Sequence, residues 1–209
     1  QSAVALSTDK ASNPINLYGA TKLASDKLFS ASNPLNGIEG TRFSVVRYGN
    51  VMGSRGSVIP FFLSQKKSGE LPITDVGMTR FMISLEEAVD LVWHAFDDML
   101  GGEIYVKKIQ SMTIVDIAKT VAPEANHKII GIRPGEKLHE QMITKSDSYS
   151  TLELKDMYII LPSNDKKKNK NFLFCNPLLF IYNLLSRSSI WACHFQRHCR
   201  HGRRQDTFD

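Results

Sequence analysis

The stretch AVALSTDKASNPINLYGATKLASDKL, residues 3–28, decides the fold class. It opens with a short apolar run, which is typical of a parallel strand buried on both faces. Asn13-Pro14 then interrupts the chain, and Asn16 is a suitable N-cap for a helix. Apolar residues follow at helical spacing and predict one buried helix face, formed by Leu17, Ala20, Ala24 and Leu28 with Leu23 beside them. The stretch therefore predicts a strand followed by a helix.

The same alternation continues to about residue 162. Further strands are predicted at 43–46, 71–74, 103–106 and 128–132. A capping box at Ser84 predicts an amphipathic helix whose apolar face carries Leu85, Ala88, Val89, Val92 and Phe96. Other helices are predicted at 59–67, 113–121 and 135–142. Strands that alternate with helices indicate an α/β fold with a parallel sheet.

The composition changes after residue 162. Residues 163–209 hold nine of the 26 lysines and arginines, three of the 21 acidic residues and all three cysteines. Residues 1–162 are therefore close to neutral, which argues against a nucleic-acid partner. We expect two regions: an α/β body at 1–162, and an unrelated basic tail at 163–209 that is frameshifted or disordered.

The tail leaves two other interpretations open. A metal site could be built from Cys193, His194, His198, Cys199 and His201, but zinc ligands need separated spacings and these crowd each other. The tail could instead be a basic arm for nucleic acid. Its apolar run at 172–185 is too short to span a membrane. The prediction is no metal, no nucleic acid and no membrane.

The opening residues QSAVALST have no secretory signal pattern and no initiator Met. We expect the chain to begin inside a longer protein. The body has no cysteine, which fits a reducing cytoplasm.

Tyr18 and Lys22 form a Tyr-x-x-x-Lys motif on the predicted helix. Spacing of four residues places both side chains on one helix face. The ammonium of Lys22 would then stabilise a phenolate on Tyr18, which could take a proton from a sugar hydroxyl. Taken alone, the pair is also compatible with a solvated helix face.

Thr8, Asp9 and Lys10 follow the first predicted strand directly. The carboxyl edge of a parallel sheet is where α/β proteins bind ligands. A hydroxyl, an acid and an amine at such an edge, just before the Tyr/Lys helix, indicate acid–base chemistry. The alternative is a polar turn with a helix cap.

ALSTDKASNPINLYGATKLASDKLF resembles the inverting UDP-N-acetylglucosamine 4,6-dehydratases, members of the extended short-chain dehydrogenase/reductase superfamily. The resemblance continues through TRFSVVRYGNVMGSRGSVIPFF, LPITDVGMTRFMISLEEAV, GGEIYV and HKIIGIRPGEKLHEQMI, and ends near residue 162. It implies the carboxyl-terminal half of a Rossmann-like fold with a small substrate-binding subdomain. It also implies an NADP-dependent lyase that opens pseudaminic acid synthesis for flagellin glycosylation, and that forms a homo-oligomer when intact.

The resemblance also implies roles for the residues at the strand end. Tyr18 with Lys22 would support oxidation at C4 of the sugar. Lys10, as a neutral amine, would remove the C5 proton. Asp9 would protonate the departing C6 hydroxyl, and Thr8 would hydrogen-bond the C4 oxygen. Return of the hydride to C6 and reprotonation of C5 on the opposite face would complete the inversion.

Binding residues follow from the same resemblance. The cofactor would contact Tyr18, Lys22 and Val51. The substrate, UDP-N-acetylglucosamine, would contact Asn50, Arg55, Gly56, Ser57, Val58, Ile59, Arg80, Arg133 and Glu136. Guanidinium groups suit the diphosphate, and a carboxylate suits ribose hydroxyls.

The sequence departs from the family at both ends: we expect that the amino-terminal half, with its first βα units and its Gly-x-Gly-x-x-Gly turn for a cofactor pyrophosphate, is missing, and that the tail replaces the family's carboxyl-terminal segment. We therefore expect an exposed edge at the first strand, and neither good folding nor turnover by this chain alone. Three alternatives stay open: a retaining 4,6-dehydratase, a sugar-nucleotide 4-epimerase, and a non-catalytic binder that uses the basic tail.

Overall fold

The computed structural model describes residues 1–33 and 40–162. In chain order the strands are β1 (Ser2–Thr8), β2 (Arg42–Tyr48), β3 (Asn50–Val51), β4 (Glu70–Ile73), β5 (Thr79–Ile83), β6 (Ile104–Lys107), β7 (Ser111–Thr113), β8 (Asn126–Ile129), β9 (Thr151–Glu153) and β10 (Met157–Ile160). The helices are α1 (Leu17–Ser32), α2 (Val58–Gln65), α3 (Leu85–Asp98), α4 (Ile114–Val121) and α5 (Lys145–Ser148). The tail beyond residue 162, with its cysteines and histidines, lies outside the described residues.

The main sheet has five strands in the order β1-β2-β6-β10-β9. Strands β1, β2 and β6 are parallel, and α1 is the crossover between the first two. Strands β10 and β9 are antiparallel additions that the sequence pattern did not predict. The α/β prediction is confirmed, and β1 lies at one edge of the described sheet, as expected.

Both faces of the main sheet are covered by apolar packing. Alternate residues of β2 point to opposite faces: Val46 joins a cluster with Leu91 and Ala95 of α3, and Val45 joins one with Ile104 on β6. Burial on both faces explains why β6 begins with three consecutive apolar residues rather than with an alternating pattern.

A third hydrophobic cluster lies among the smaller sheets, which are β3-β5-β7 and β4-β8. It joins Phe62 of α2, Ile117 of α4, and Leu71 and Ile73 of β4. On β4 the buried residues alternate with half-buried Pro72. This cluster supports the cavity described below.

The predicted apolar face of α1 is wrong as a buried face. Leu17 is 80% exposed and Leu28 is 67% exposed, whereas the buried residues of α1 are Gly19 and Asp26. A polar contact holds the helix instead: the guanidinium of Arg47 on β2 lies 3.0 Å from the Asp26 carboxylate. Hydropathy alone therefore placed this helix with the wrong face toward the sheet.

The predicted face of α3 is confirmed in part. The capping box at Ser84 is present, Ala88 is buried, and Val92 and Phe96 pack against the core beside Leu91 and Ala95, whereas Leu85 and Val89 are exposed. The apolar residues cover more than one face of this helix, so spacing did not decide which face is buried.

The helix predicted at 135–142 is wrong, because this segment is an irregular strap. It crosses other parts of the fold rather than bonding to itself: Thr79 forms a β-bridge with His139, and Lys137 donates to the Ser12 carbonyl. The strand predicted at 128–132 starts two residues earlier, since β8 pairs in register with β4 from Glu70 and Asn126.

Candidate functional site

Thr8, Asp9 and Lys10 lie together at the carboxyl end of β1, where the chain turns through one turn of 3₁₀ helix. The Thr8 hydroxyl donates to Asp9 Oδ1 (2.9 Å), and the Lys10 ammonium donates to the same oxygen (3.0 Å). Asp9 is fully buried, and its second oxygen, Oδ2, receives no hydrogen bond from the described residues. One carboxylate oxygen is thus held by two donors, and the other is buried without a donor among the described residues.

The helix turn that carries Tyr18 packs directly against this cluster. A Cβ added to Gly19 would lie 2.5 Å from the Lys10 carbonyl oxygen and 2.9 Å from Pro14 Cβ. Only glycine allows this approach, which brings the start of α1 onto the backbone of Lys10. Asn16 caps the helix by accepting from the Gly19 amide (2.8 Å), as the sequence predicted.

Tyr18 and Lys22 occupy the edge of the sheet. The Tyr18 side chain is about half exposed, and Lys22 Nζ donates to the backbone carbonyl of Leu6 on β1 (3.1 Å). Next to them, Tyr48 ends β2 in register with Thr8. Burial, and secondarily the neighbouring Tyr18 phenol, raise the pKa of Tyr48 above its ordinary value of 10.0. Tyr48 therefore remains a protonated donor beside Tyr18.

Asn50 connects the strand-end cluster with the rest of the site. Its Oδ1 lies 3.5 Å from Lys10 Nζ, and its backbone pairs with Met82 in β5. Gly49 makes this crossing possible, because a Cβ there would lie 2.4 Å from the Phe81 carbonyl oxygen. The chain leaves β2, passes close to β5 and presents Asn50 to Lys10.

Asn50 also lines a cavity of about 490 Å³. Five other predicted substrate residues line it: Gly56, Val58, Arg80, Arg133 and Glu136. The remaining residues that line the cavity were not predicted. They are mostly apolar: Pro60, Phe61, Phe62, Pro72, Thr74, Met78, Ile114 and Ile130. Alternation along β4 was the available signal, because Pro72 and Thr74 flank buried Ile73.

The cavity carries both signs of charge. Arg80 donates to the backbone carbonyls of Thr79 and Leu138, which fixes its guanidinium (2.7 and 3.3 Å). Arg133 lies 4.0 Å from Glu136 Oε1, while Glu136 Oε2 is buried and receives no hydrogen bond within 1–33 and 40–162. Two cations and a carboxylate oxygen without a donor are suited to a ligand with phosphates and hydroxyls.

The other predicted binding residues lie around the cavity and do not line it. Arg55 is exposed in the turn before α2, and Ile59 packs against the third hydrophobic cluster. Ser57 is the N-cap of α2, and its hydroxyl is buried without a partner among the residues described. Val51, in β3, pairs with Ile83 of β5.

Sequence reasoning missed two charged residues beside Lys10. Glu140 and Lys137 come from the strap, and their side chains are 5% and 15% exposed. Glu140 Oε1 lies 3.8 Å from Lys10 Nζ, and its Oε2 lies 3.4 Å from Lys137 Nζ. No local pattern could reveal that these two side chains lie beside Lys10, since both are 127 or more positions away from it in the chain.

The described ranges contain neither a metal-binding group nor a membrane-spanning helix. They contain no group of three or more histidine, cysteine or acidic side chains placed to hold a metal ion. Within the same ranges, no helix has the length and apolar character to cross a bilayer.

Known proteins share both the sequence and the fold. Residues 1–162 match the family model described as polysaccharide biosynthesis protein. The chain is 62% identical over 162 residues to a UDP-N-acetylglucosamine 4,6-dehydratase (inverting) of Campylobacter jejuni, a match that covers 77% of this chain and 48% of the relative. A UDP-glucose 4-epimerase of Rickettsia canadensis is 43% identical, with 75% and 48% covered. The chain thus spans about half the length of these curated relatives.

A solved structure supports the fold. The X-ray structure of Pen from Bacillus thuringiensis superimposes with a TM-score of 0.73 at 34% identity, covering 83% of this chain and 61% of that one. The Rossmann-like fold expected from the sequence is confirmed. With the match over residues 1–162, the chain belongs to the polysaccharide biosynthesis protein family, and its predicted resemblance to the inverting 4,6-dehydratases is confirmed.

Proposed function

We propose that this chain supplies the acid–base cluster and the sugar-nucleotide cavity of an NADP-dependent UDP-N-acetylglucosamine 4,6-dehydratase that inverts C5. One observation carries the proposal: Asn50 contacts Lys10 and also lines the charged cavity. An acid and an amine therefore lie beside a space that suits a nucleotide sugar. The relative of Campylobacter jejuni, named as an inverting dehydratase, supports the assignment.

The hydrogen bond between Lys10 and Asp9 explains how both catalysts reach their working states. Elimination needs an amine that accepts the C5 proton and an acid that protonates the C6 hydroxyl. Transfer of one proton from the Lys10 ammonium to Asp9, along the 3.0 Å contact, produces both groups together. When Lys10 takes the C5 proton and Asp9 gives its own to the departing water, the ion pair is restored. Hydride return to C6 is accompanied by a solvent proton that reaches C5 on the opposite face, and Tyr18 releases to solvent the proton that it took from the C4 hydroxyl, so the whole cycle balances in protons.

Tyr18 and Lys22 serve the oxidation that comes first. A Tyr18 phenolate takes the proton from the C4 hydroxyl, and the Thr8 hydroxyl turns from Asp9 Oδ1 to donate to the resulting C4 oxygen. When bound, NADP would accept the hydride from C4 and later return it to C6. The half-exposed Tyr18 phenol, Lys22 and Val51 fit the nicotinamide end of such a cofactor.

The cavity holds the nucleotide part. Arg80 and Arg133 pair with the diphosphate, and the free Oε2 of Glu136 accepts from ribose hydroxyls. Gly56, just before α2, and Val58, at the start of α2, contact the sugar nucleotide from the cavity wall. The product would enter pseudaminic acid synthesis, and the intact enzyme would be a cytoplasmic homo-oligomer.

The test of catalysis uses this chain joined to the residues that precede the matched segment in the Campylobacter jejuni dehydratase, which we call the joined enzyme. With NADP and UDP-N-acetylglucosamine, the expected product has lost one water and has an inverted C5, as read by mass spectrometry and NMR. Lys10→Ala is expected to abolish water loss and to leave NADP binding largely intact. Water loss by the Lys10→Ala enzyme, or an unchanged C5 configuration, would overturn the proposal.

Binding is tested on the chain itself. Isothermal titration with UDP should show one site, weakened on the order of tenfold or more by Arg133→Ala, because a charge-assisted phosphate contact is lost. Lys128→Ala removes an exposed cation paired with Glu70, outside the cavity lining, and is the matched control. Equal weakening by both variants would show that net charge, and not the cavity, binds UDP.

A second candidate is a 4-epimerase, which the 43% identity to the Rickettsia canadensis protein favours. Epimerisation needs oxidation and reduction at C4 alone, so Asp9 and Lys10 would have no proton to move. The two functions differ in product mass: an epimer keeps the mass of the substrate. Epimer formation by the Lys10→Ala joined enzyme at the parent rate would favour the epimerase.

A further inference from the structure

Glu140 is a buried carboxylate that the proposed mechanism does not use. It lies between two ammonium groups, with Oε1 3.8 Å from Lys10 Nζ and Oε2 3.4 Å from Lys137 Nζ. A buried charge is retained at little cost only when it is paired. The two lysines therefore provide the pairing that a buried Glu140 carboxylate requires.

The Lys10 ammonium has three N–H donors and three acceptors around it. Asp9 Oδ1 and Asn50 Oδ1 lie at 3.0 and 3.5 Å, and Glu140 Oε1 lies at ion-pair distance. The acceptors come from three separate parts of the chain: the end of β1, the start of β3 and the strap. Together they define the position of Nζ at the end of a side chain that would otherwise be mobile.

Lys137 forms an ion pair with Glu140, although Glu140 Oε2 receives no hydrogen bond from the described residues. Its ammonium pairs with Glu140 and donates to the Ser12 carbonyl (2.7 Å). Ser12 in turn donates through its hydroxyl to the Met142 carbonyl (3.0 Å), which lies just beyond Glu140. The strap is thus fastened to the turn that carries Lys10 on both sides of Glu140.

We propose that Glu140 is a positioning residue for Lys10: it holds the amine where it can reach the C5 proton. This inference rests on the proposed function, in which Lys10 is the base. A displaced amine would leave the C4 oxidation unaffected and would slow the elimination. The loss expected for a displacement near 1 Å is on the order of 100-fold.

The experiment compares Glu140→Leu with Glu140→Gln in the joined enzyme. Glutamine keeps an acceptor oxygen at the same place and leucine does not. Single-turnover absorbance of the reduced nicotinamide reports C4 oxidation, and deuterium uptake at C5 reports proton removal. Glu140→Leu should keep the first signal and lose deuterium uptake about 100-fold, and Glu140→Gln, which keeps an acceptor without the charge that favours the ammonium form of Lys10, should show uptake at the parent level or faster.

The NMR chemical shifts of the lysine Hε protons provide a second test, which is made on the chain itself. A held side chain keeps its two Hε protons inequivalent, so Lys10 should show two shifts in the parent and in Glu140→Gln, and one averaged shift in Glu140→Leu. Two shifts in all three proteins would overturn the inference, whether or not the joined enzyme is active.

A structural control separates positioning from general damage. Glu103 is as buried as Glu140, but it bonds to Ser44 and to the Gly101 amide, within the main sheet region. Glu103→Leu should lower the unfolding temperature and leave the ratio of deuterium uptake to oxidation unchanged. If it shifts that ratio as Glu140→Leu does, the positioning role is refuted.

The failure of this inference can be told apart from the failure of the proposed function. Loss of elimination in Lys10→Ala with a normal Glu140→Leu enzyme would refute the role of Glu140 alone. Elimination by Lys10→Ala would refute the proposed function.

Discussion

Lys10 Nζ lies 3.5 Å from the side-chain oxygen of Asn50, which is 40 residues further along the chain. Lys10 lies in the turn that follows β1 and Asn50 begins β3, so the contact joins the main sheet to the smaller sheet beside the cavity. Among the described residues, this contact links the candidate base to the candidate substrate space.

Asn50→Asp should slow elimination without removing the contact. A new carboxylate at this distance stabilises the charged form of Lys10 and so disfavours the amine, by an amount on the order of tenfold in rate or more. Deuterium uptake at C5 in the joined enzyme measures the effect. An equal loss in C4 oxidation would instead indicate that substrate placement had failed.

Gly19→Ala should destabilise the protein, although alanine is ordinarily the better helix residue by about 1 kcal/mol. The new methyl would overlap the Lys10 carbonyl oxygen, and the expected cost is about 1–3 kcal/mol in urea unfolding. Ala24→Gly, at an exposed position of the same helix, should lose about 1 kcal/mol through propensity alone. A stabilised Gly19→Ala protein would contradict the close approach.

Arg47→Met should cost about 3–5 kcal/mol of unfolding free energy. Arg47 and Asp26 are 2% and 1% exposed, so removing the guanidinium leaves a buried carboxylate without its partner. Lys108→Met, which removes the half-exposed pair with Glu153, is the control and should cost less than about 1 kcal/mol. Similar losses in urea unfolding would show that the buried pair contributes no more than a surface one.

Glu87 should make the protein more sensitive to acid. The Ser84 amide of the capping box, and then the Lys107 ammonium, lower the pKa of Glu87 below its ordinary value of 4.5. A lowered pKa means that the stabilisation is present above 4.5 and is lost as the pH falls through the folded-state value. Glu87→Gln should therefore be less stable than the parent near neutral pH, with the difference closing in acid.

Urea unfolding at several pH values measures this difference. Because Glu87 is half exposed, the effect is small, and Glu86→Gln, which removes a charge from the same helix turn, is the control. A stability difference that stays constant down to acid pH would contradict the capping role.

The pKa of Tyr48 should lie above 10.0, and Tyr18→Phe should lower this pKa without returning it to 10.0. Burial is the larger cause of the raised pKa and remains in the variant, while the contribution of the Tyr18 phenol is removed. NMR of tyrosine labelled at Cζ follows the two phenols separately. No change in the Tyr48 titration would show that the two phenols are not coupled.

The local pattern of the sequence determined the strand-turn-helix at the start of the chain and the caps of its helices. The apolar run before Thr8, Asn16 as an N-cap, and the capping box at Ser84 all act within a few residues, so short-range chemistry was sufficient to predict them. The sequence also placed Thr8, Asp9 and Lys10 at a sheet edge, because that follows from a strand ending in polar residues.

Tertiary structure alone decided which helix faces are buried and what surrounds Lys10. The packing of α1 depends on Arg47 reaching Asp26 and on Gly19 meeting a carbonyl, and neither is encoded in hydropathy spacing. The strap that brings Glu140 to Lys10 has no helical or strand period. Its position is set by contacts between residues more than a hundred positions apart, which only the folded chain brings together.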